Sequence, residues 1–333
     1  MQNPDFSVIV PAYQAADIIA ACVTALAQQT VPRDRYEVLV VDDGSTDGTA
    51  AAAQAAGADR VLTIAHQGPA GARNAGVEAA RGELVLFTDA DCIPAPDWVE
   101  QLTAPFADSR VMGAKGTYRT RQRAPIARLV QREFEIRYGR MAQLPQIDFV
   151  DTYAAAYRRA LLLQSGGFDT VFPIPSAEDV ELSFRLAQAG HRLVFVPEAW
   201  VWHRHPTGLC AYLTRKGQYG FWRALLYLHH PEKIGGDAHT DPLLKVQFLL
   251  VALLGLTALG GLVWRPLWAA AAGLLLIFCA TTWPFVRWVW AKDRLVAVLW
   301  PPVTLLRVFV QGTGLAVGLF RHGVLARFAT IPF

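Results

Sequence analysis

The sequence has few cysteines, and their spacing excludes two classes of protein. The four cysteines are Cys22, Cys92, Cys210 and Cys279, and they include no Cys-x-x-Cys pair. Structural zinc sites and the disulfide frameworks of small secreted domains depend on closely spaced cysteines, so neither is expected. The N-terminus also lacks the basic and apolar stretches of a secretory signal. We therefore expect no leader segment, and a globular part that lies in a reducing cytosol.

Charge is scarce only in the C-terminal part of the chain. The last 88 residues, from Val246, contain seven basic residues and one acidic residue, whereas the residues before them contain 24 basic and 27 acidic residues. Over all 333 residues, 53% are apolar. This uneven distribution excludes a disordered chain and a single soluble domain. The slightly acidic first part excludes a strongly basic nucleic-acid-binding protein, so no nucleic-acid partner is expected.

Two charge-free runs account for much of the apolar excess. Residues 246–263 and 266–286 are each long enough, as helices, to cross a hydrocarbon layer about 30 Å thick. Tryptophans flank both runs, as in the aromatic belts of membrane proteins. We predict a transmembrane helical hairpin over residues 246–290, preceded by a juxtamembrane linker over residues 226–245. A buried hairpin in a soluble core is the alternative.

Residues 295–320 are apolar as well, but Pro301-Pro302 and Arg307 interrupt them. The prolines are expected to break a helix, and an arginine at mid-bilayer costs at least about 2.5 kcal/mol. Basic residues precede the first charge-free run and follow both the second run and residues 295–320. They favour the cytoplasmic side, which requires an even number of crossings. We therefore predict a re-entrant or interfacial segment here, with a third crossing as the alternative. The chain as a whole is expected to be a multi-pass inner-membrane protein with residues 1–225 in the cytosol.

Residues 1–225 alternate short apolar runs with helical segments. The apolar runs predict buried strands, and helices are predicted between the first four of them. The predicted strands are residues 7–11, 37–42, 60–65, 83–88 and 193–196. This alternation is typical of an α/β fold with a mostly parallel sheet and helices on both faces, which binds ligands at the carboxyl ends of its strands. No Gly-x-Gly-x-x-Gly motif follows the first strand, which disfavours a dinucleotide-binding domain.

An acidic pair and a histidine indicate a metal site. Asp89 and Asp91 follow the fourth strand, where two carboxylates can share one hard cation, Mg²⁺ or Mn²⁺. His203 follows the last strand and can complete the ligand set of such a cation. An acidic turn and a solvent-facing histidine are the alternatives.

Two further segments after strands can contact a nucleotide. Asp42 and Asp43 follow the second strand, and a carboxylate there can accept hydrogen bonds from a nucleobase or ribose. A plain capping turn, with Ser45 or Thr46 as the N-cap of the next helix, is the alternative. Arg73 lies in a Gly-rich segment that begins a helix and can bind a phosphate, or it is a surface arginine.

Residues 176–190 predict an amphipathic helix with an acidic start. Ser176 is the predicted N-cap, and acidic residues suit a helix N-terminus because of its dipole, which accounts for Glu178. Asp179 is a candidate general base for an incoming hydroxyl group.

These segments occur in the order seen in family 2 glycosyltransferases, and the chain resembles that family from about Ser7 to His205. The resemblance rests on seven strings: SVIVPAY, VVDDGSTDGT, GPAGARNAG, FTDADC, GGFD, EDVELSFRLAQAG and VFVPEAWVWH. It implies an inverting enzyme of the GT-A fold, with a nucleotide-diphosphate sugar donor and a divalent cation. In such an enzyme the acceptor hydroxyl displaces the diphosphate directly, and no protein nucleophile is required.

The resemblance also implies roles for individual residues. The implied donor contacts are Pro11, Tyr13 and Asp43 in the base pocket, Asp42 beside it, Arg73 facing the nucleotide, and Asp89 at the ribose or the metal-bound diphosphate. Asp91 would ligate the metal, and His203 would contact the metal or the diphosphate. Asp179 would be the catalytic base.

The acceptor is expected at the membrane. Lys115–Arg140 contains eight basic residues and, from Ile126, an apolar stripe at helical spacing. Such a basic amphipathic helix suits an anionic membrane surface or the phosphate of a lipid-linked acceptor, and a solvated basic face over a core stripe is the alternative.

We therefore expect transfer of a single sugar to a membrane-associated, lipid-linked acceptor in cell-envelope glycan or polysaccharide synthesis. Gln218 and Trp222-Arg223 only loosely resemble the Gln-x-x-Arg-Trp element of processive synthases, because the last two residues are reversed. A polyprenyl-phosphate glycosyltransferase and a small processive polysaccharide synthase are alternatives within the same class. A nucleotidyltransferase is the alternative from another class.

Overall fold

The structure is a computed structural model that describes residues 3–238 and 240–325, with side chains to residue 323. The chain divides into two compact units. Met1–Arg121 and Tyr138–Arg204 form the first, which we call the sheet unit. Gln122–Arg137 and His205–Phe333 belong to the second, which we call the helical unit.

The described residues of the sheet unit contain one eight-stranded sheet with the order β3-β2-β1-β4-β7-β6-β8-β5. The strands are β1 (Phe6–Ala12), β2 (Tyr36–Asp42), β3 (Arg60–Thr63), β4 (Leu84–Phe87), β5 (Ile93–Pro94), β6 (Val111–Arg119), β7 (Ala155–Arg158) and β8 (Arg192–Trp202). All five predicted strands are therefore present. The central strands are buried on both faces, as their continuous apolar runs require.

The sheet is mixed, and most of its strands run in the same direction, as predicted. β1 pairs in parallel with β2 and β4, β2 with β3, and β6 with β8. β7 runs antiparallel between β4 and β6, and β5 is antiparallel to β8. β5, β6 and β7 were not predicted, because their mixed composition lacks a clear apolar run. Because β7 is antiparallel to both β4 and β6, these two neighbours run parallel to each other. The strands that end at the same edge of the sheet therefore include β1, β2, β4, β6 and β8.

Seven helices lie wholly or partly in the sheet unit. They are α1 (Ile19–Ala27), α2 (Thr49–Ala55), α3 (Gly68–Ala79), α4 (Trp98–Thr103), α5 (Pro125–Met141), α6 (Arg159–Gln164) and α7 (Glu178–Gln188). The predicted cap of α2 is wrong: Gly48 is the N-cap, with φ of 88°, and Asp47 accepts the Thr49 amide over 3.1 Å. The predicted cap of α7 is also wrong, because Ala177 occupies that position.

The predicted basic helix is confirmed in part. α5 begins at Pro125, and its apolar residues Leu129 and Val130 join a core cluster of the helical unit. Lys115 and Arg119, the first two basic residues of this stretch, precede the helix and belong to β6. β8 continues past the predicted strand at residues 193–196 and includes Trp200 and Trp202.

The helical unit continues with α8 (Leu209–His229), α9 (Leu244–Gly260), α10 (Leu267–Trp290) and α11 (Arg294–Gly318), which runs on as a π-helix to Leu325. Of the described residues, Leu267–Trp290 and Arg294–Gly323 form helices long and apolar enough to cross a membrane. α9, at 17 residues, is shorter. The membrane-spanning hairpin over residues 246–290 stays a prediction.

The predicted break at Pro301-Pro302 is wrong, because α11 passes through both prolines. Proline fixes φ near the helical value, but each proline removes one N–H donor and so costs the helix a hydrogen bond. A helix that packs well against its neighbours can offset this cost and hold two prolines. Packing is close where α11 meets α8. A Cβ on Gly314 would overlap the Gly217 carbonyl oxygen, and a Cβ on Gly318 would overlap that of Phe221.

Arg307 is buried inside the helical unit, with 7% of its surface exposed. Its guanidinium donates to Glu133 of α5 over 2.6 Å. Glu133 also accepts hydrogen bonds from Lys216 over 3.0 Å and from Tyr212 over 2.9 Å. The cost expected for an isolated arginine in an apolar segment is therefore offset by a buried carboxylate.

Candidate active site

Most of the predicted site residues lie at the edge of the sheet where the parallel strands end. Ala12 pairs with Asp42 at the ends of β1 and β2, and β4 ends two residues before Asp89. His203 directly follows β8, and its amide donates to the Arg119 carbonyl over 2.9 Å. The structure thus brings together segments that are up to roughly 190 residues apart in sequence, because parallel strands share one carboxyl edge.

Asp43 organises the start of α3. Its two carboxylate oxygens accept the amides of Gln67 over 2.8 Å and Gly68 over 2.9 Å. Gly68 has φ of +80°, and a Cβ there would come within 2.9 Å of the Pro173 carbonyl oxygen. Asp43 is 3% exposed. A glycine is therefore needed where the backbone turns to meet this carboxylate.

Tyr13 and His66 form an aromatic pair beside Asp43. Their ring centroids are 4.3 Å apart with 29° between the planes, and Tyr13 is 49% exposed. The His66 Nδ1 atom lies 2.9 Å from the Asp43 carboxylate. Sequence reasoning missed His66, because a single histidine in a loop gives no signal of this contact.

Asp42 is the last residue of β2, and Pro11 is the last but one of β1. Asp42 is buried, and its Oδ1 accepts the Ser45 amide over 3.1 Å. The Ser45 hydroxyl in turn accepts the Gln14 amide over 2.9 Å, which ties together the loops after β1 and β2. Asp42 therefore shapes the turn, and its predicted place beside the base pocket is compatible with this contact.

Asp89, Asp91 and His203, the predicted metal-binding residues, lie near one another. The ligand atoms of Asp89, Asp91 and Cys92 all lie within 4.8 Å of one another, and His203 Nε2 is 3.3 Å from Asp91 Oδ2. The Tyr118 ring packs on His203 with centroids 4.2 Å apart, which holds the imidazole in place.

The chemistry of this donor set fits a hard divalent cation. Both carboxylates are partly exposed, at 32% and 38% of their side chains. Burial raises the pKa of the Cys92 thiol well above its ordinary value, with the carboxylates of Asp91 and Asp89 adding to the rise. A protonated thiol is a poor ligand, so oxygen and imidazole donors remain, as suits Mg²⁺ or Mn²⁺.

Arg73 lies in the interior of the sheet unit and contacts two carboxylates. It is 3% exposed, so the alternative of a surface arginine is wrong. Its Nη1 donates to Glu178 Oε1 over 2.7 Å, and its Nη2 donates to Asp89 Oδ1 over 3.1 Å. The guanidinium thus connects the acidic pair after β4 with the start of α7. Its role toward a nucleotide stays a prediction.

Glu178 was predicted only as a helix-start residue, and that part is confirmed. Its Oε2 accepts the amides of Ser176 over 2.9 Å and Ala177 over 3.1 Å. The contact with Arg73 is the part that sequence reasoning missed. No local pattern indicates it, because the two residues are 105 positions apart.

Asp179 has the environment of a general base. Burial raises the pKa of its carboxyl to about 7, and the Glu178 carboxylate adds to the rise, whereas Arg73 and Lys115 act against it. Its Oδ1 accepts the Val180 amide over 2.8 Å. A carboxyl group that titrates near neutral pH can accept a proton efficiently at that pH.

Lys115 of β6 is close enough to Asp179 for its charge to lower the pKa of that carboxyl. It was predicted to be part of a basic stretch facing the acceptor or the membrane, but its side chain is fully buried. It forms an ion pair with Asp151, and its Nζ lies 3.3 Å from the Tyr153 hydroxyl. Its charge is therefore part of the core beside the candidate base.

Residues 7–165 match the sequence profile described as glycosyl transferase family 2. This part of the chain, just under half of it, is therefore similar to glycosyltransferase family 2. The predicted resemblance is thereby confirmed over most of its extent, and a nucleotidyltransferase is disfavoured.

Curated relatives belong to the same class. A pre-mycofactocin glycosyltransferase of Mycobacterium tuberculosis is 29% identical over 317 aligned residues, which cover 84% of this chain and 65% of the relative. The succinoglycan biosynthesis protein ExoO of Rhizobium meliloti is 44% identical over 103 residues, which cover 30% of this chain and 29% of ExoO. This chain thus spans less than two thirds of the length of these relatives.

A solved structure confirms the predicted fold. The mannosyltransferase PcManGT from Pyrobaculum calidifontis, in complex with GDP-Man and Mn²⁺, superposes with a TM-score of 0.59. The superposition covers 96% of this chain and 88% of PcManGT, at 22% sequence identity. At this identity the likeness establishes the fold alone, a GT-A-like α/β sheet followed by C-terminal helices.

Proposed function

We propose that this protein transfers a sugar from a nucleotide-diphosphate donor to a membrane-associated acceptor, with inversion at the anomeric carbon. The observation that carries the proposal is the joint placement of Asp91 with His203 and of Asp179, connected through Asp89, Arg73 and Glu178. A metal-ligand cluster and a base near neutral pKa are the two groups that direct displacement of a diphosphate needs.

The donor is proposed to bind along the carboxyl edge of the sheet. Tyr13 and Asp43, with Pro11 and Asp42 below them, would form the base pocket, since an exposed aromatic ring and a carboxylate lie side by side there. The complex of PcManGT with GDP-Man and Mn²⁺ supports a nucleotide sugar as the class of donor.

Asp91 and His203 would hold the cation, with Asp89 beside them. When bound, Mg²⁺ or Mn²⁺ would offset the negative charge of the departing diphosphate. Arg73 keeps the Asp89 carboxylate oriented through its 3.1 Å hydrogen bond.

Asp179 would take the proton of the acceptor hydroxyl. The acceptor oxygen forms the new bond to the anomeric carbon while the bond from that carbon to the diphosphate breaks, and the diphosphate leaves with the electron pair. Attack from the face opposite the leaving group gives inversion in one step. No nucleophilic side chain is required, so the only proton transfer assigned to the protein is to Asp179.

The acceptor is proposed to be lipid-linked and part of cell-envelope glycan or polysaccharide synthesis. The names of the relatives support this class: ExoO is a succinoglycan biosynthesis protein. The two long apolar helices support a membrane location. We propose residues 1–225 as the cytosolic catalytic domain, with the linker at 226–245, the hairpin at 246–290 and the last segment at 295–320.

Thermal-shift measurements on the purified full chain test the donor and the metal together. The protein is tested with a panel of nucleotide-diphosphate sugars, with and without Mn²⁺. The sugars that carry one particular nucleobase should raise its melting temperature. A ligand at a hundred times its Kd stabilises a protein by about 2.7 kcal/mol. Asp91→Asn should abolish the Mn²⁺-dependent part of the shift.

Asp34→Asn is the matched control, because Asp34 is exposed in the turn before β2, at the opposite edge of the sheet. It should keep the full shift. If no nucleotide sugar or nucleotide diphosphate stabilised the unaltered protein, the proposed function would be refuted.

A further inference from the structure

One exposed surface of the sheet unit combines arginines with tryptophans, and we call it the Arg/Trp patch. It consists of Arg119 and Arg121 at and after the end of β6, Trp200 and Trp202 near the end of β8, and Ile93 of β5. Arg119 pairs with Trp202 in the parallel register, and Ile93 pairs with Trp202 in the antiparallel one. Neighbours across adjacent strands project from the same face, so these side chains share one surface.

The side chains of the patch contact one another in pairs. The Arg119 guanidinium lies 4.2 Å from the centre of the Trp200 ring, and the Arg121 guanidinium lies 4.2 Å from that of Trp202. The two indoles pack edge to face at 4.9 Å. Because a ring face offers no strong hydrogen-bond acceptor, each guanidinium keeps N–H donors available to an external anion.

The charges of the patch are not neutralised within the described part of the chain. Arg119 and Arg121 are exposed, and neither forms an ion pair with a described carboxylate. Arg204, two residues after Trp202, is exposed as well, and Glu198 is the acidic residue at the far end of this stretch. The patch therefore carries a net positive charge at its Trp202 end.

The predicted basic helix differs from the patch in this respect. Arg128 of α5 is paired with Asp293, and Arg132 is paired with Glu135. Lys115 is buried with Asp151. Several of the charges expected to face an anionic surface are thus paired within the molecule, whereas Arg119 and Arg121 at the end of β6 are exposed.

We propose that the Arg/Trp patch docks on an anionic phospholipid surface. Guanidinium groups bind lipid phosphates through paired N–H donors, and tryptophan favours the headgroup region, where its ring is apolar and its N–H is hydrated. Stacking of a sugar ring is disfavoured here, because guanidinium groups lie over the indoles. Ile93, with 40% of its surface exposed, adds apolar area beside the rings.

The patch is continuous in sequence with the candidate cation site. Ile93 follows Asp91 by two residues, and His203 directly follows Trp202 and is hydrogen-bonded to Arg119. Contact with the headgroups would therefore bring the leaving-group end of the site to the lipid surface that carries the acceptor. This deepens the proposed function and rests on it for the acceptor, but the docking itself does not require turnover.

Arginine footprinting tests the docking directly. The full chain is reconstituted in nanodiscs of phosphatidylcholine alone or of phosphatidylcholine mixed with phosphatidylglycerol, and treated with phenylglyoxal before peptide mass spectrometry. The reaction rates of Arg119 and Arg121 should fall by a factor of about three or more in the anionic discs. Arg81 is the internal control, because it is exposed near the amino ends of β1 and β2 and should react equally in both.

Equal reactivity of Arg119 and Arg121 in both kinds of disc would overturn the proposal. Protection by inorganic phosphate added to neutral discs would overturn it too, since it would identify a soluble phosphate group as the ligand. Arg119→Gln/Arg121→Gln should lower sugar transfer in anionic discs but not in detergent, and Arg81→Gln should lower neither. Footprinting detects lipid contact even if no transfer occurs, so failure here is distinguishable from failure of the proposed function.

Discussion

Glu178 and Asp179 follow each other in the chain, yet their carboxylates meet different partners. Glu178 is buried and neutralised by Arg73 at 2.7 Å. Asp179 instead accepts hydrogen bonds from the backbone amides of Thr152 and Val180, and burial raises its pKa to about 7. The difference follows from the first turn of α7, because adjacent positions on a helix point about 100° apart. One residue of the pair is therefore held in place, and the other is available as a base.

Asp179→Asn should reduce sugar transfer by about a hundredfold or more, because an amide cannot accept the acceptor proton. Donor binding should be nearly unchanged, since the proposed base pocket lies on the β1 and β2 loops. Steady-state rates and thermal shifts with the donor measure the two effects. Full activity in this variant would show that Asp179 is not the base.

The pH profile gives a second test at this residue. Asp179 acts only when ionised, so activity should be lost as the pH falls through about 7 and be retained above it. Glu178→Gln removes the like charge that raises this pKa, while Arg73 and Lys115 remain to lower it. The acid limb of the plot of kcat against pH should then shift to a pH lower by roughly one unit. An unchanged limb would contradict the assignment.

The helical unit shows at the scale of elements how a charge in an apolar helix is accommodated. Burial alone would raise the pKa of Glu133, but Lys216 and Arg307 lower it to about 2, so the carboxylate stays ionised between α5, α8 and α11. Residues from three helices thus share one ionic cluster. The amphipathic pattern of α5 predicted its apolar face but not this buried charge.

Glu133→Gln should destabilise the protein by about 3–5 kcal/mol, because it leaves Arg307 and Lys216 buried without their carboxylate. Glu135→Gln is the matched control on the same helix: its partner Arg132 is partly exposed, and the loss should be at most about 1 kcal/mol. Melting temperatures in one detergent measure both. Equal losses would mean that the buried cluster contributes no more than a surface pair.

The contact between α8 and α11 depends on glycine. Gly314→Ala should lower the melting temperature, because the new Cβ would overlap the Gly217 carbonyl oxygen and push the helices apart. Gly255→Ala in α9 has open space around its Cβ and should be neutral, or stabilising by up to about 1 kcal/mol. A neutral Gly314→Ala would show that the two helices do not pack this closely.

At the scale of the whole molecule, the C-terminal helices support the proposed membrane location. Leu267–Trp290 and Arg294–Gly323 are long and apolar enough to span a bilayer, and Trp264, Trp283 and Trp290 are about half exposed or more. Exposed tryptophans near the ends of apolar helices are typical of membrane interfaces. The proposed acceptor and the proposed membrane location therefore support each other.

The expressed chain should remain in the membrane pellet after washes with high salt and with alkaline carbonate, because spanning helices are held by the hydrophobic effect rather than by charge. A peripheral membrane protein of the host, followed in the same pellet, should be released. Release of this chain by carbonate would contradict the proposed spans, although it would leave the catalytic assignment open to its own tests.

The sequence by itself determined the strands that are continuous apolar runs, the acidic pairs that end them and the family that they resemble. Those features are local, because a buried strand needs only a short apolar run and a ligand pair only two neighbouring residues. Tertiary structure alone decided that Arg73 joins Asp89 to Glu178 and that Arg307 meets Glu133, 174 residues away. Such contacts depend on the order of strands and on helix packing, which no local pattern contains.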